Sequence, residues 1–299
     1  MQQGIVVDSV SRSYGKVRAV DGLSFEVRPG ETFGFLGPNG AGKSTTLHIL
    51  IGLLKPDSGS VSIAGCADPT QPSVRSNIGF APQSLALYEE LSGRDNLSFF
   101  ASLHSMTSAH RRERVGFALD FCGLADRADS RVSTWSGGMK RRLNLACALL
   151  HDPPVLLLDE PMVGVDPQSR NHMFETIEKL RLEGRTIIYT THYMEEAARL
   201  CDRVGIIDSG KMLAIGTPEE LIRKHGGNST VVLCFDGPIP AGLPAQSAVN
   251  GGTVRLPSPD PFGLVASLAG QGIRPDSLRI DRPDLEKVFL ALTGRKLRV

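Results

Sequence analysis

A glycine-rich segment near the start of the 299-residue chain constrains the fold more than any other feature. The segment is Gly37-Pro38-Asn39-Gly40-Ala41-Gly42-Lys43-Ser44-Thr45, and it matches the pattern G-x-x-x-x-G-K-[ST]. The apolar run 32–36 before it predicts a strand, and residues 46–50 after it predict a helix. Because the phosphate-binding P-loop has this order of strand, loop and helix, the sequence predicts an α/β nucleotide-binding domain.

The residue types of this segment have a chemical reason. Glycines let the loop fold back so that its backbone N–H groups point at an anion. The start of the following helix adds a partial positive charge. We expect Lys43 to reach the β- and γ-phosphates and the Ser44 hydroxyl to ligate Mg²⁺.

A second candidate site follows the apolar run 155–158. This run is typical of a parallel strand that is covered on both faces, and Asp159 and Glu160 stand where it ends. Ligands of doubly wound sheets bind at that edge. We expect Asp159 to contact Mg²⁺ and Glu160 to polarise a water molecule.

Composition narrows the possible partners and compartments. A net charge of +1 gives no overall field toward nucleic acid, so we expect no nucleic-acid partner. Two basic clusters, 110–114 and 140–142, are interpreted as solvated helix faces. Residues 1–7 do not have the pattern of a secretory signal, and the longest apolar stretch, 47–54, is too short to span a bilayer. Five dispersed cysteines without metal spacing indicate a reducing compartment.

The remaining pattern indicates two domains, 1–227 and 228–299. In the first, we expect a helical insert at about 85–150 and a helix that ends at the glycine pair 226–227. Strands are predicted at 4–9, 23–27, 60–65, 155–158, 185–190, 204–207 and 211–215, the last two as a hairpin. The second domain is interpreted as a small α+β appendage with a strand at 231–235, a Pro/Gly-rich stretch at 237–263 and a final helix.

Five further motifs give the chain a specific resemblance. They are Ser13-Tyr14-Gly15, Phe80-Ala81-Pro82-Gln83, Ser136-Gly137-Gly138-Met139, the run from Glu160 to Pro167, and Thr190-Thr191-His192. With the P-loop and in this order, they resemble the A-loop, Q-loop, S-G-G signature, Walker B exit with D-loop, and switch histidine of ATP-binding cassette (ABC) ATPases. The resemblance covers roughly residues 4 to 226 and implies the ABC-type P-loop fold, with an antiparallel β subdomain and a helical subdomain.

The resemblance also implies a role for each motif residue. Tyr14 would stack on adenine, and Gln83 would ligate Mg²⁺ or orient the water through its carbonyl oxygen. Ser136 would cap a helix whose start binds phosphate. Gly137 and Gly138 would allow close approach of the backbone to that phosphate. Two further roles follow: His192 would hydrogen-bond the γ-phosphate, and Asp166 would belong to the nucleotide site through the D-loop.

The family further implies an assembly. In ABC ATPases the signature of one subunit closes over the P-loop of another, so we expect a head-to-tail homodimer that sandwiches two ATP molecules. The helical insert with Gln83 would pass this motion to a separate integral-membrane permease. The protein would then lie on the cytoplasmic face of the cell membrane, bound through the permease.

Departures from the common pattern point to one subgroup. Trp135 and Met139 replace Leu and Gln beside the signature, and Val165 replaces Leu in the D-loop. Met139 and the segment 285–295 resemble exporters for daunorubicin-like drugs and nodulation factors. The alternatives are a soluble ABC ATPase that acts on ribosomes or DNA, and an unrelated P-loop enzyme such as a kinase. The first usually carries two cassettes or long coiled-coil insertions, and the second leaves the signature unexplained.

Overall fold

The computed structural model describes residues 4–244 and 246–294. The chain divides into two compact units, the first ending at Pro218 and the second beginning at Glu219. Within the described residues, no helix is both long enough and apolar enough to cross a membrane.

The secondary structure alternates strands and helices through most of the first unit. The strands are β1 (Ile5–Tyr14), β2 (Val17–Val27), β3 (Thr32–Leu36), β4 (Ser58–Ile63), β5 (Ile78–Ala81), β6 (Val155–Asp159), β7 (Thr186–Thr191), β8 (Arg203–Asp208), β9 (Lys211–Gly216), β10 (Ser229–Cys234), β11 (Ala248–Asn250), β12 (Thr253–Ser258) and β13 (Ser277–Asp281). The α-helices are α1 (Lys43–Leu50), α2 (Pro72–Arg75), α3 (Gly93–Ser102), α4 (Ser108–Phe121), α5 (Gly137–Ala148), α6 (Pro167–Leu182), α7 (Met194–Leu200), α8 (Pro218–His225), α9 (Pro261–Gly270) and α10 (Leu285–Thr293).

A six-stranded sheet carries the motifs. Its strand order is β5-β6-β7-β3-β8-β9, and every neighbouring pair is parallel except the β8–β9 hairpin. Every residue of β3, β6 and β7 is buried, as the apolar runs predict for strands covered on both faces. The carboxyl ends of β3, β6 and β7 therefore bring the P-loop, the two acids and the switch histidine to one edge.

An antiparallel sheet of order β2-β1-β4 forms a second layer. Strands β1 and β2 are longer than the sequence predicts, because their polar residues lie on a solvent-facing side that carries no apolar signal. On the inner side, Phe25 stacks on Phe33 of β3 with ring centroids 5.3 Å apart. Leu47 of α1 belongs to the same core, which joins this sheet to the central sheet.

The predicted helical insert contains α3, α4 and α5, connected by loops and two short 3₁₀ turns. Trp135 anchors it: its side chain is buried, and its indole N–H donates to the Ser130 hydroxyl at 2.8 Å. A Cβ atom at Gly93 would collide with the Trp135 ring. The large residue before the signature is therefore accommodated by a glycine on the facing helix.

The second unit is a four-stranded antiparallel sheet, β11-β12-β10-β13, with α9 in contact with β10 and β12. Sequence patterns predict β10 and α10 but not β11, β12, α9 or β13. Prolines and glycines within 237–263 give β11, β12 and the start of α9 a loop-like composition, and β13 has no fully buried residue to give it an apolar pattern. Helix α8 belongs to this unit, although the sequence places the boundary at 227. Gly226, just after α8, approaches Pro283 so closely that a Cβ atom would lie 2.9 Å from its side chain. Residues 1–3 and 295–299 of the predicted domains lie outside the described residues.

Candidate active site

The P-loop backbone is fixed by contacts that only glycine permits. A Cβ atom at Gly37 would collide with the carbonyl oxygen of Ile207, and one at Gly42 with that of Ala19. Gly42 also has a φ of 102°, in the left-handed region. The glycines therefore fit the loop against its neighbours, in addition to the role in phosphate binding that the sequence predicts for them.

Lys43 lies at the centre of a buried group of polar atoms. Its ammonium donates to the carbonyl oxygens of Gly37 at 2.8 Å and Pro38 at 3.1 Å. The same ammonium lies 2.9 Å from Oε1 of Glu160, and both side chains are only 4% exposed. A charge buried this deeply is costly without a partner, so the ion pair with Glu160 matters to both residues.

Thr190 fixes the two acids at the end of β6. Its hydroxyl donates to Asp159 Oδ1 at 2.6 Å and accepts from the backbone N–H of Glu160 at 2.9 Å. The parallel pairing of β6 and β7 sets Thr190 opposite Asp159. In the sequence, Thr190 stands out only as part of the switch motif. A hydroxyl beside an acid pair on the next strand is the signal that could have assigned it a role.

Glu160 adopts a backbone conformation that side chains rarely take. Its φ is +45°, and Pro161 follows it. A residue before proline favours extended conformations, so this geometry stores strain. The hydrogen bond from its N–H to Thr190 and the ion pair with Lys43 hold the residue there. Strain of this kind is common where a side chain must point at a reacting group.

Gln83 and His192 approach the same carboxylate oxygen of Glu160. The Gln83 side-chain amide donates to Oε2 at 3.2 Å. His192 Nδ1 lies 3.3 Å from that oxygen but makes no hydrogen bond to it. Three of the sequence-predicted residues, Gln83, Glu160 and His192, therefore meet with Lys43 at one point.

The loop that carries Gln83 is held by side chains of the signature helix α5. Arg141 donates to the carbonyl oxygen of Gln83, and Asn144 donates to that of Pro82 at 2.9 Å. Arg142 donates to the Gly123 carbonyl at 2.8 Å. Burial lowers the pKa of both arginines, Arg141 and Arg142, below the ordinary value. The basic cluster 140–142 is thus turned largely inward, whereas the sequence predicts a solvated face.

The signature begins helix α5 in the predicted way. The Ser136 hydroxyl accepts from the N–H of Met139 at 3.3 Å and caps the helix. Gly137 is exposed, and a Cβ atom added there would have the Gly164 carbonyl oxygen, 3.8 Å away, as its nearest neighbour. At Gly138 a Cβ atom would collide with the Ser169 side chain. Gly138 therefore permits close packing of α5 on α6 within one chain, whereas Gly137 leaves the helix start open.

Asp166 caps helix α6 beside this helix start. Its Oδ1 accepts from the Ser169 N–H at 2.9 Å, and this bond holds the pKa of the Asp166 carboxyl below its ordinary value. The two capped helix starts border an open cleft of about 540 Å³. Its lining includes Ser136, Met139, Arg142, Asp166, Gln168, Ser169, Asn171, His172 and Glu175.

Tyr14 ends β1 on the antiparallel sheet, and its side chain is 47% exposed. The Arg12 guanidinium lies 5.4 Å from its ring centroid, and Arg12 pairs with Asp57 at 2.8 Å. Asp57 also accepts from the Ser13 N–H at 2.7 Å. One face of the ring is thus held by a cation, and the residue stays available as a flat surface.

The oxygen atoms predicted for Mg²⁺ are of the type that this ion prefers. Ser44 begins α1 next to Lys43, and Asp159 ends β6 at the same edge. With the Gln83 amide nitrogen toward Glu160, its carbonyl oxygen is the atom left for a cation. No cluster of three His, Cys, Asp or Glu ligands occurs among residues 4–244 and 246–294. One carboxylate and one hydroxyl fit Mg²⁺ that is bound mainly through phosphates.

The direct contacts thus define two groups and one separate residue. The first, which we call the charge cluster, contains Lys43, Gln83 and His192 around the Glu160 carboxylate, together with Asp159, which is linked to Glu160 through the Thr190 hydroxyl. Ser136, Gly137, Gly138 and Asp166 form the second, which we call the helix-start pair. Tyr14 lies on the antiparallel sheet.

Comparisons with known proteins give two matching sequence profiles, relatives that span nearly the whole chain and solved structures of similar fold. The sequence profile described as "ABC transporter" matches residues 20–163, and a profile described as "AAA domain, putative AbiEii toxin, Type IV TA system" matches residues 131–196. The linearmycin resistance ATP-binding protein LnrL of Bacillus subtilis (strain 168) is 42% identical over 97% of this chain and 98% of its own length. Nod factor export ATP-binding protein I of Paraburkholderia xenovorans (strain LB400) is 42% identical over 99% of each chain. A dimeric ATP-binding cassette in a post-hydrolysis state, bound to ADP and Pi, is 25% identical and superposes with a TM-score of 0.65 over 71% of this chain and 98% of that one.

Proposed function

The chain belongs to the ATP-binding subunits of ABC transporters, and from this premise we propose that it hydrolyses ATP to drive export through a separate permease. The observation that carries the proposal is the buried contact between Lys43 and Glu160 at 2.9 Å. It brings the phosphate-binding lysine and the acid to one point. A triphosphate held by Lys43 therefore has its terminal phosphate beside Glu160.

The charge cluster supports a mechanism in which Glu160 is the general base. When Lys43 turns to the phosphates, Glu160 is released from the ion pair and can accept the proton of an attacking water. Gln83 and His192, both near Glu160 Oε2, would orient that water and the γ-phosphate. Thr190 keeps Asp159 and Glu160 in register during this exchange.

The residues that fit Mg²⁺ are Ser44, Asp159 and Gln83. When bound, the ion would neutralise charge on the β- and γ-phosphate oxygens. Asp159 needs no rearrangement for this role, because the Thr190 hydroxyl already orients its carboxylate. Tyr14, exposed at the end of β1, would stack on the adenine ring.

We infer that hydrolysis takes place in a head-to-tail homodimer. The helix-start pair is exposed around an open cleft, and a capped helix start attracts anions. Ser136 and Gly137 would therefore bind the γ-phosphate of ATP held by the P-loop of a second copy. The related cassette of known structure is itself dimeric.

The proposed permease contact is an exposed aromatic cluster on the helical insert. Tyr88 is 50% exposed and Phe99 is 40% exposed, and their ring centroids lie 5.0 Å apart. Exposed apolar groups that touch one another are typical of interaction surfaces. Tyr88 follows Gln83 by five residues, so a permease segment bound to the cluster would sense movement of the Gln83 loop. The protein would thereby be held at the cytoplasmic face of the membrane.

Cargo is proposed at the level of class only. The relatives are named for linearmycin resistance and for Nod factor export. We propose that this chain energises export of a drug-like or lipid-like molecule, with selectivity in the permease.

The test of the ATPase dimer is Glu160→Gln, which keeps the side-chain shape and removes the base. We expect turnover to fall by about 100-fold or more, and ATP to convert the variant from monomer to dimer in size exclusion with light scattering. Lys43→Met on the same background should stay monomeric. A monomer with demonstrably bound ATP would contradict the sandwich.

A second measurement distinguishes a transport function from the alternative of a soluble ABC ATPase that acts on ribosomes or DNA. The tagged Glu160→Gln variant, expressed in the organism from which the protein comes, should sediment with membranes when ATP is present. Phe99→Glu on that background should release it, while ATP binding by the purified variant stays unchanged. Sedimentation with ribosomes or DNA instead would favour the non-transport alternative.

A further inference from the structure

A buried carboxylate outside the charge cluster lies directly behind the switch histidine. Glu196 on α7 is 2% exposed, and its Oε2 accepts from the hydroxyls of Tyr189 at 2.8 Å and Thr191 at 2.7 Å. Burial, together with the nearby Glu196, raises the pKa of the Tyr189 hydroxyl well above its ordinary value, so it remains a donor. The other oxygen, Oε1, makes no hydrogen bond.

The cation that faces this oxygen comes from the D-loop helix. Arg170 on α6 lies 3.7 Å from Glu196 Oε1, which is within ion-pair range but beyond a hydrogen bond. The backbone N–H of Arg170 donates to the Asp166 carbonyl at 2.8 Å, so Arg170 belongs to the first turn after the cap. Its Nε atom is also buried without a hydrogen bond.

Both residues contact the segment that carries His192. The Arg170 guanidinium lies 5.0 Å from the ring centroid of Tyr193, and that ring lies 4.2 Å from the His192 ring. Glu196 holds Thr191, whose hydroxyl also accepts from the Tyr193 N–H at 2.9 Å. The residues on either side of His192 are therefore held by one ion pair, in which the Glu196 side chain is buried and the Arg170 side chain is 32% exposed.

We propose that Arg170 and Glu196 are positioning residues, which transmit the position of the D-loop helix to His192 and through it to Glu160. The proposal rests on the proposed ATPase function. In the proposed dimer a partner subunit would engage the start of α6 at Asp166, four residues before Arg170. A small approach of α6 toward α7 would complete the hydrogen bond that the pair lacks at 3.7 Å.

Energetics favour a role beyond stability. The ion pair adds little net stability, because the Glu196 carboxylate is desolvated while the partly exposed Arg170, at 3.7 Å, repays only part of that cost. The pair is also incomplete, since each partner keeps an atom without a hydrogen bond. A pair that only joined two helices would gain by closing fully. An incomplete pair can instead take two arrangements, which is what coupling between sites requires.

The chain offers a matched control between the same two helices. Arg199 of α7 lies 3.0 Å from Glu178 of α6, and its guanidinium stacks 4.2 Å from the Phe174 centroid. Like the pair of Arg170 and Glu196, this is an Arg–Glu ion pair between α6 and α7. Both of its side chains are exposed, however, and it does not contact the segment that carries His192. Glu178→Gln and Arg199→Met should therefore leave hydrolysis unchanged.

The experiment is a double-mutant cycle on the full-length chain with Glu196→Gln, Arg170→Met and the double variant. Glu196→Gln keeps the shape and the acceptor for both hydroxyls. At saturating ATP we expect each single variant to lower kcat by about tenfold while KM for ATP changes by less than about threefold. The double variant should be no slower than the slower single variant, because residues that act as a unit are not additive.

Three results would each overturn the proposal. One is a drop in melting temperature with kcat per folded molecule unchanged, which would indicate a structural pair only. A second is an additive loss of kcat in the double variant, and the third is an equal loss in the Glu178 and Arg199 controls. If the unmodified chain itself fails to hydrolyse ATP, the proposed function fails instead, and the two failures are thus distinguished.

Discussion

The charge cluster and the helix-start pair are both predicted to bind nucleotide, but they differ in the burial and pairing of their polar side chains. In the cluster, Lys43 and Glu160 are each about 4% exposed and satisfy one another. In the helix-start pair, Ser136 and Asp166 are exposed and each caps only its own helix. The first region is complete within one chain, whereas the second presents a cleft to solvent.

This difference indicates that the two regions have different roles, one in ATP affinity and the other in turnover. The Lys43 ammonium is already buried beside the P-loop, so phosphate binding there needs no further desolvation of that charge, and the cluster suits tight binding of phosphates. Exposed helix starts gain most from an anion that excludes water from them. We therefore expect changes in the P-loop region to alter affinity for ATP, and changes in the helix-start pair to alter turnover.

Lys43→Met should have the largest effect. It removes the ammonium that we propose to bind phosphate, and it leaves Glu160 buried near Gln83 and His192 without its ion-pair partner. We expect ATP affinity to fall by about 100-fold, the value of a lost charged hydrogen bond, and the free energy of unfolding to fall by about 1–3 kcal/mol. Calorimetric titration and denaturant unfolding measure the two quantities.

The double variant Lys43→Met with Glu160→Gln separates the two effects. Removing the stranded charge should restore most of the stability but none of the affinity. Equal instability of the single and double variants would mean that the ion pair is not what holds the cluster together.

The charge cluster was largely predictable from sequence because phosphate chemistry dictates residue types at fixed spacing. Lys43 and the pair Asp159–Glu160 follow from a glycine-rich loop and an apolar strand. The contacts of Thr190 and Arg141 were not predicted, because they depend on which strand lies beside β6 and how α5 approaches the Gln83 loop. Such neighbours are set by tertiary packing and leave no local pattern.

The fold shows the same limit. Fully buried strands such as β6 and β7 were predicted, because continuous apolar runs admit few alternatives. The second unit was predicted only in part, since its strand β12 contains Pro257 and helix α9 begins with Pro261. Proline is compatible with an exposed strand position and with a first helical turn. Composition alone therefore predicts loop where β12 and α9 form.

Gly138→Ala should have the next largest effect, and Gly137→Ala is its matched control. The added methyl group at Gly138 collides with Ser169 and pushes the starts of α5 and α6 apart. We expect kcat to fall by about tenfold and stability by about 1–3 kcal/mol, with ATP affinity unchanged. At Gly137 the nearest atom is 3.8 Å away, so folding should be unaffected. Equal loss of stability in both variants would contradict the packing role assigned to Gly138.

Tyr14→Ala should have the smallest effect. It should change ATP affinity alone and so help to distinguish residues that set affinity from residues that set turnover. The ring is 47% exposed and is backed by Arg12 on one side, so its removal disturbs few contacts in the free protein. Loss of stacking on adenine should weaken ATP binding by about three- to tenfold, while kcat at saturating ATP stays the same. Tyr14→Phe keeps the flat ring and should bind ATP as the unmodified chain does. If Tyr14→Ala instead lowered kcat and left ATP affinity unchanged, Tyr14 would act on turnover, as we expect of the helix-start pair. Side-chain exposure would then not separate the residues that set ATP affinity from those that set turnover.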